Sequence, residues 1–403
     1  MLFMRLIPRQ AREAYRWDSL AGLLAGLYAG TVMPFLGYLA RDKLQASALE
    51  ISLLSAAPFL GHLFSLYWAN HMQGREKVPY VVYVGIASRG LIGLVFLATS
   101  PTAFVCIVSA AIVIGAFSLP AYTTVMKDIY PDECRGQVMG LVRMGVVFTT
   151  MIGAAIGGRL LAHYSYRVVF PAAAVFGMLA SLSFFRLRRV VQVTEDIAAP
   201  RVGILESLAI LKHDRLFRYY SLGFFIFGFG NLMNSPLFPL FQVDVLHINS
   251  YWVSALAIVG SALSGIFYYL WGRMIDRHSP FAAVLASFFL FSLVPLTYHF
   301  THSLPTLFVA AICAGIAGPG VELTWINAVM QFADREGVAR YSALHFTLVG
   351  IRGLLAPLAA VGLLHYLDIR DVFLVCFAVV LAGALIMTVV VLRRSQLAGP
   401  AYQ

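Results

Sequence analysis

A few side chains in this 403-residue sequence conflict with their surroundings, and chemistry is to be sought at those positions first. Glu322, Arg352 and Arg89 are ionisable groups inside long apolar stretches. A charge in such a setting costs about 3 kcal/mol or more unless it is paired or hydrated, so each is a functional candidate. A carboxyl there can exchange a proton or recognise a cation, and a guanidinium can hold an anion. Glu322 follows Gly318-Pro319-Gly320, a pattern that predicts a broken helix whose freed carbonyls face a solute or cation. Two readings of Glu322 stand side by side: proton coupling or cation recognition, and a fixed ion pair with Arg352. Arg89 has no acid at comparable depth in the first half and serves either an anionic solute or a helix-to-helix contact. Asn231 and Asn234 are three apart and share a helix face just before Pro236, which predicts a kink; their alternative use is bonding between helices. Tyr28, Thr31, Tyr122 and Thr123 add further donors and acceptors, and His62 and His345 titrate near neutrality if unperturbed.

The elements that must hold these groups are membrane spans. Hydrophobic residues make up 60% of the chain and charged residues 12%, about half the usual share for a soluble domain. A soluble core cannot hide that much apolar surface, whereas a bilayer solvates it. Stretches long enough to cross fall near 18–40, 50–70, 79–99, 102–125, 140–162 and 168–186, then near 219–243, 251–271, 281–299, 304–328, 342–365 and 371–392. The predicted fold is therefore all-α, with twelve transmembrane helices in two pseudo-symmetric six-helix bundles, 1–186 and 219–403, joined by a connector at 187–218. Part of that connector, Ile204 to Leu216, has amphipathic spacing suited to the inner membrane surface. With both termini cytoplasmic, 22 of the 29 Lys and Arg fall on the inner side and 5 on the outer, leaving Arg89 and Arg352 within spans. That bias follows the positive-inside rule and explains the net charge of +10 without nucleic acid, for which no basic stripe interleaved with aromatics is present.

The halves repeat. Tyr67-Trp68 corresponds to Leu270-Trp271, Val125-Met126 to Val329-Met330, and Pro34 to Pro236, at offsets of 202 to 204 residues. Repeats of this kind are the sequence trace of transporter pseudo-symmetry, with the solute site between repeats near mid-membrane. The four cysteines form no CxxC pair, and no HExxH, GxSxG or P-loop pattern occurs, so neither a metal, a cofactor nor an enzymatic reaction is expected. The arginine-rich start lacks a signal-peptide core, so the first span is expected to remain as an anchor.

Three loop motifs carry a family resemblance. After the eighth span comes Gly272-Arg273-Met274-Ile275-Asp276-Arg277, close to the pattern Gly-x-x-x-Asp-Arg/Lys-x-Gly-Arg, with Ser279-Pro280 where Gly-Arg would stand. Its first-half copy keeps Gly74, Arg75 and Lys77 but has His71 for the acid and Tyr67 for the glycine. After the fourth span, Asp128, Pro131, Arg135 and Gly136 resemble an Asp-x-x-Pro-x-x-x-Arg-Gly loop. The fifth span carries Gly153, Gly157 and Gly158, small residues that permit close helix approach. With twelve spans and the repeat, the chain resembles a member of the major facilitator superfamily over its whole length. The resemblance implies an alternating-access transporter of a small solute, with spans 1, 4, 7 and 10 lining the cavity. Tyr28, Thr31, Tyr122, Asn231, Asn234 and Glu322 would then be lining groups. Gly74, Arg75, Asp128, Arg135, Gly272, Asp276 and Arg277 would form gating motifs, an acid meeting a helix N-terminus in one conformation and leaving it in the other. Protons are the candidate coupling ion, and the expected setting is a monomer in a bacterial inner membrane. Drug or metabolite efflux, and a non-transporting receptor or scaffold on the same fold, remain as alternatives. Between Pro101 and Lys127 there is no Lys or Arg, unlike many drug–proton antiporters of that family.

Overall fold

A chain immersed in lipid must satisfy its backbone hydrogen bonds internally, and long helices do so. The structure is a computed structural model that describes residues 7–8, 11–64, 67–68, 71–72, 74–131, 134–191, 210–277, 280–332 and 338–393. Among them every regular element is helical. The first half contains α1 (Arg12–Val32), α2 (Leu36–Asp42), α3 (Ala48–Leu63), α4 (Lys77–Gly93), α5 (Pro101–Ala116), α6 (Leu119–Ile129), α7 (Arg135–His163) and α8 (Tyr166–Phe185). The second contains α9 (Arg215–Leu240), α10 (Ser250–Arg277), α11 (Pro280–Phe300), α12 (Leu304–Phe332), α13 (Val338–Leu363) and α14 (Ile369–Leu392). Eleven helical segments are long and apolar enough to cross a membrane, and α3 is a shorter apolar helix at the predicted second span. Local chemistry sets several starts. Ser47 and Glu50 form a reciprocal capping box at α3, and Ser100 caps α5 just before Pro101.

Proline acts differently in two corresponding spans. Pro120 has no N–H for the carbonyl of Ala116, and the fourth span breaks there into α5 and α6, with Phe117 and Ser118 between them. The break predicted at Gly318-Pro319-Gly320 does not occur, because α12 runs through it as continuous helix. Neighbouring side chains explain the difference. Pro319 orphans the carbonyl of Gly315, and the Ser264 hydroxyl of α10 donates to it at 3.2 Å. The Trp271 indole N–H donates to the Ile316 carbonyl at 2.7 Å.

The chain divides into two compact units, Met1–Pro200 with Asn249–Ile258, and Arg201–Ile248 with Val259–Gln403. Within the first, α1 packs on α7 and α8, and α4 packs on α5 and α8. Within the second, α9 packs on α13 and α14, and α11 packs on α12 and α14. These are corresponding helices, so the repeat in sequence is also a repeat in packing. The close approach of α1 and α7 uses glycine: a methyl at Gly153 would lie 3.1 Å from the Thr31 nitrogen, and one at Gly157 3.0 Å from the Thr31 Cα. The first unit also takes in the start of α10, where Ser250 donates to the Gly158 carbonyl at 3.0 Å. The core of the second unit is aromatic, with Phe217, Tyr220, Phe224, Phe227 and Phe288 all buried and the Phe227 and Phe288 rings stacked at 3.5 Å. Of the amphipathic stretch Ile204 to Leu216, the first six residues lie outside the described residues; Ile210 and Leu211 pack against this core.

Candidate functional site

In the first unit, a cavity of about 220 Å³ opens among α1, α4, α6, α7 and α8. Asp18, Arg89, Ser118, Tyr122 and Ser181 bring polar groups to its wall. Each is placed by a local feature. Asp18 lies on the face of α1 that also carries Ala21, Gly22 and Ala25, small residues that leave the space open. Ser118 and Tyr122 reach the wall because the fourth span breaks next to them. Asp18 is 3% exposed and accepts a hydrogen bond from the Tyr130 hydroxyl at 2.8 Å. It lines the same cavity as Arg89, an acid that the sequence reading does not bring to that arginine. Arg89 donates to the Ser181 hydroxyl, and its guanidinium lies 5.8 Å from the centre of the Tyr28 ring. Room for it comes from Gly177, where a methyl would lie 2.8 Å from the Arg89 side chain. Neither Asp18 nor Arg89 forms an ion pair among the described residues.

Other lining candidates have different uses. Thr31 donates to the Leu27 and Gly153 carbonyls, at 2.8 and 3.1 Å, and so ties α1 to α7. Thr123 donates back to the Pro120 carbonyl at 2.9 Å.

The second unit buries Arg352 at 8% exposure. Its guanidinium donates to the Phe224 carbonyl, lies 5.5 Å from that ring's centre and occupies the space that a side chain at Gly228 would take. His345 sits against the same Phe224 ring at 5.1 Å, and Tyr220 is near enough to feel the arginine's charge. Among the described residues no carboxylate pairs with Arg352, its Nε has no hydrogen-bond partner, and neither has the Tyr220 hydroxyl. Of the two readings of Glu322, the fixed ion pair with Arg352 is therefore not made in this structure. Glu322 is exposed, and the Tyr268 hydroxyl of α10 donates to it instead. Asn234 is fully buried and returns its amide to the Gly230 carbonyl of its own helix at 3.2 Å, while Asn231 is half-buried.

The gating motifs are described in part. Gly74 has φ +68°, a left-handed turn that suits glycine. Arg75 faces His71 Nε2 at 3.0 Å and donates to the Tyr80 hydroxyl at 3.0 Å, so the histidine is engaged by a cation where the family pattern has an acid. Arg135 donates to the carbonyls of Lys127 and Tyr130, at 2.9 and 3.0 Å, which folds the loop after the fourth span, and Asp128 on the last turn of α6 is half-buried. A methyl at Gly272 would meet open space and Arg277 is exposed; the side chain of Asp276 lies outside the described residues.

The sequence matches the description of the Major Facilitator Superfamily over residues 19–267 and 252–401, nearly its whole length. The chain belongs to the Major Facilitator Superfamily. It is thus a membrane transporter by family and not an enzyme. It is 23% identical over 333 residues to the multi-drug resistance efflux pump PmrA of Streptococcus pneumoniae, covering 79% of each chain. It is 23% identical over 254 residues to a probable sugar efflux transporter of Haemophilus influenzae, covering 62% of this chain and 61% of that one. Solved structures share the superfamily fold. A bacterial homologue of the human lysosomal transporter Spinster, inward-facing and unoccupied, matches with a TM-score of 0.71 at 14% identity over 98% of this chain and all of that one. The nucleoside transporter NupG matches with a TM-score of 0.75 at 12% identity over 93% and 99% of the two chains.

Proposed function

We propose that this superfamily member is a secondary active transporter that moves a small solute across a bacterial inner membrane by alternating access. In this reading α3 completes the second of twelve spans, the halves 1–186 and 219–403 are six-helix bundles, and the termini and the 187–218 connector are cytoplasmic. One observation carries the reading. Each unit holds an intramembrane arginine fitted against a glycine and lacking a carboxylate partner among the described residues, half-buried at Arg89 and buried at Arg352. Burying an unpaired charge costs several kcal/mol, and an arriving solute, ion or rearranged state that compensates it gains that amount back. Such groups bias conformation according to occupancy, which is what coupling requires. Asp18 and Glu322 are the carboxyls that can carry a coupled proton, and the chain acts as a monomer.

Export is the favoured direction, because curated relatives from two bacteria are named as efflux proteins. The test compares cells that lack, express or overexpress the protein, by metabolite profiling inside and outside the cell. The distribution of at least one small solute shifts with expression, and Arg352→Gln reverses the shift. Identical profiles at equal amounts of folded protein contradict the reading.

A further inference from the structure

The cavity of the first unit carries two opposite charges that do not meet. Asp18 lines it from α1 and Arg89 from α4, and neither forms an ion pair among the described residues. Both are anchored from behind: Asp18 by the Tyr130 hydroxyl at 2.8 Å, Arg89 by the Ser181 hydroxyl and the Tyr28 ring. The anchors keep the charges apart. Ser181 marks the arginine end of the wall on α8, and Phe184 stands one turn away, with its ring 5.8 Å from that of Tyr122. One such step is about 4.5 Å along a helix axis. Between the charges the wall is apolar, formed by residues such as Ala25, Val81 and Val146, and Tyr122 offers a hydroxyl that makes no hydrogen bond among the described residues.

We infer that this cavity binds a small zwitterion, with its ammonium end toward Asp18, its carboxylate toward Arg89 and a short apolar segment between. A cation alone would leave the half-buried Arg89 uncompensated, and an anion alone would leave the buried Asp18 so, each at a cost in unpaired charge. A neutral apolar solute would leave both. One dipolar molecule compensates both charges at once, and a cavity of about 220 Å³ suits a small one. The ligand's role as cargo rests on the transporter reading, whereas its chemistry rests on the cavity alone.

The test uses the purified full chain in detergent and follows thermal stabilisation by 5-aminopentanoate, pentylamine and pentanoate. The zwitterion is expected to stabilise at a concentration at least about tenfold below that of either single-ended analogue, the effect of one further charge contact. ω-Amino acids of other chain lengths should show an optimum, because the charges are fixed. Asp18→Asn should make pentanoate as effective as the zwitterion, and Arg89→Gln should do so for pentylamine. The comparison of probes on the unaltered protein stands even where a variant fails to fold. Pentylamine or pentanoate equal to the zwitterion on that protein overturns the proposal, as does the absence of stabilisation by every ω-amino acid tried. Uptake of labelled 5-aminopentanoate into proteoliposomes separates the two readings. Binding without uptake keeps the site and removes its role as cargo site; transport of another solute undiminished by Asp18→Asn and Arg89→Gln keeps the transporter and removes the site.

Discussion

Gly228→Ala isolates the placement of Arg352. In an ordinary helix interior the change favours alanine by about 1 kcal/mol. Here the new methyl falls on the guanidinium carbon and nitrogens of Arg352, well inside van der Waals contact. Those atoms end a flexible side chain, so the clash itself is cheap to relieve. What is lost is the position they hold. Displacement breaks the charged hydrogen bond to the Phe224 carbonyl, worth about 1.5–3 kcal/mol, and the contact with the Phe224 ring, worth about 1–2 kcal/mol when desolvated. Subtracting the helix gain leaves a net loss of about 1.5–4 kcal/mol. Thermal unfolding of the purified protein in detergent reads this as a melting temperature lowered by several degrees. In an Arg352→Ala background the same methyl enters space the guanidinium has left, and the effect should change sign. A Gly228→Ala protein as stable as the unaltered chain would show that the guanidinium is not held there, and equal effects in the two backgrounds would show that the pair is not coupled.

Three further outcomes follow from the same contacts. Gly30→Ala places a methyl on the backbone of Thr150, which cannot rotate away, so α1 and α7 must separate; thermal unfolding should show a loss of about 1–3 kcal/mol or more. Tyr130→Phe removes the hydrogen bond to Asp18 and leaves a buried carboxyl short of a donor, lowering stability by about 1.5–3 kcal/mol, whereas Asp18→Asn with Tyr130→Phe should recover most of it in a double-mutant cycle. Trp271→Phe takes the indole donor from the Ile316 carbonyl beside Pro319, and amide exchange within α12 should quicken locally around residues 316–320 without global unfolding.

The spans were legible because their length and apolarity are physical requirements of the bilayer, and the structure's helices fall on the predicted stretches. Proline was legible as a residue but not in its effect. Pro120 splits the fourth span, whereas Pro319 leaves α12 whole, because α10 supplies Ser264 and Trp271 as donors and no sequence window around Pro319 contains them. Asp18 was missed for a different reason. It sits where an arginine-rich tail passes into apolar sequence and reads as a flank. The available signal was the run Ala14, Asp18, Gly22 and Ala25, an acid among small residues at helical spacing. Arg89 and Arg352 were legible as cations within apolar spans, and the structure half-buries the first and buries the second. Their partners were not, because a ring, a hydroxyl and a backbone carbonyl all come from distant helices. The same limit hid Tyr268, which donates to Glu322 where one of the two sequence readings places Arg352.

The most direct test of alternating access measures distances on the two membrane faces of one protein. In the proposed topology, spin labels at the exposed Arg189 and Arg393 report the cytoplasmic side, and labels at the exposed Tyr164 and Tyr366 the outer side, in a chain whose exposed Cys106 has been replaced. Pulsed electron resonance in liposomes, at several pH values and with candidate solutes, then gives both distance distributions. Alternating access predicts two populations in each pair, with the outer distance lengthening under the conditions that shorten the inner one. Distances that stay single and fixed under every condition, or that change in the same sense on both faces, would contradict it.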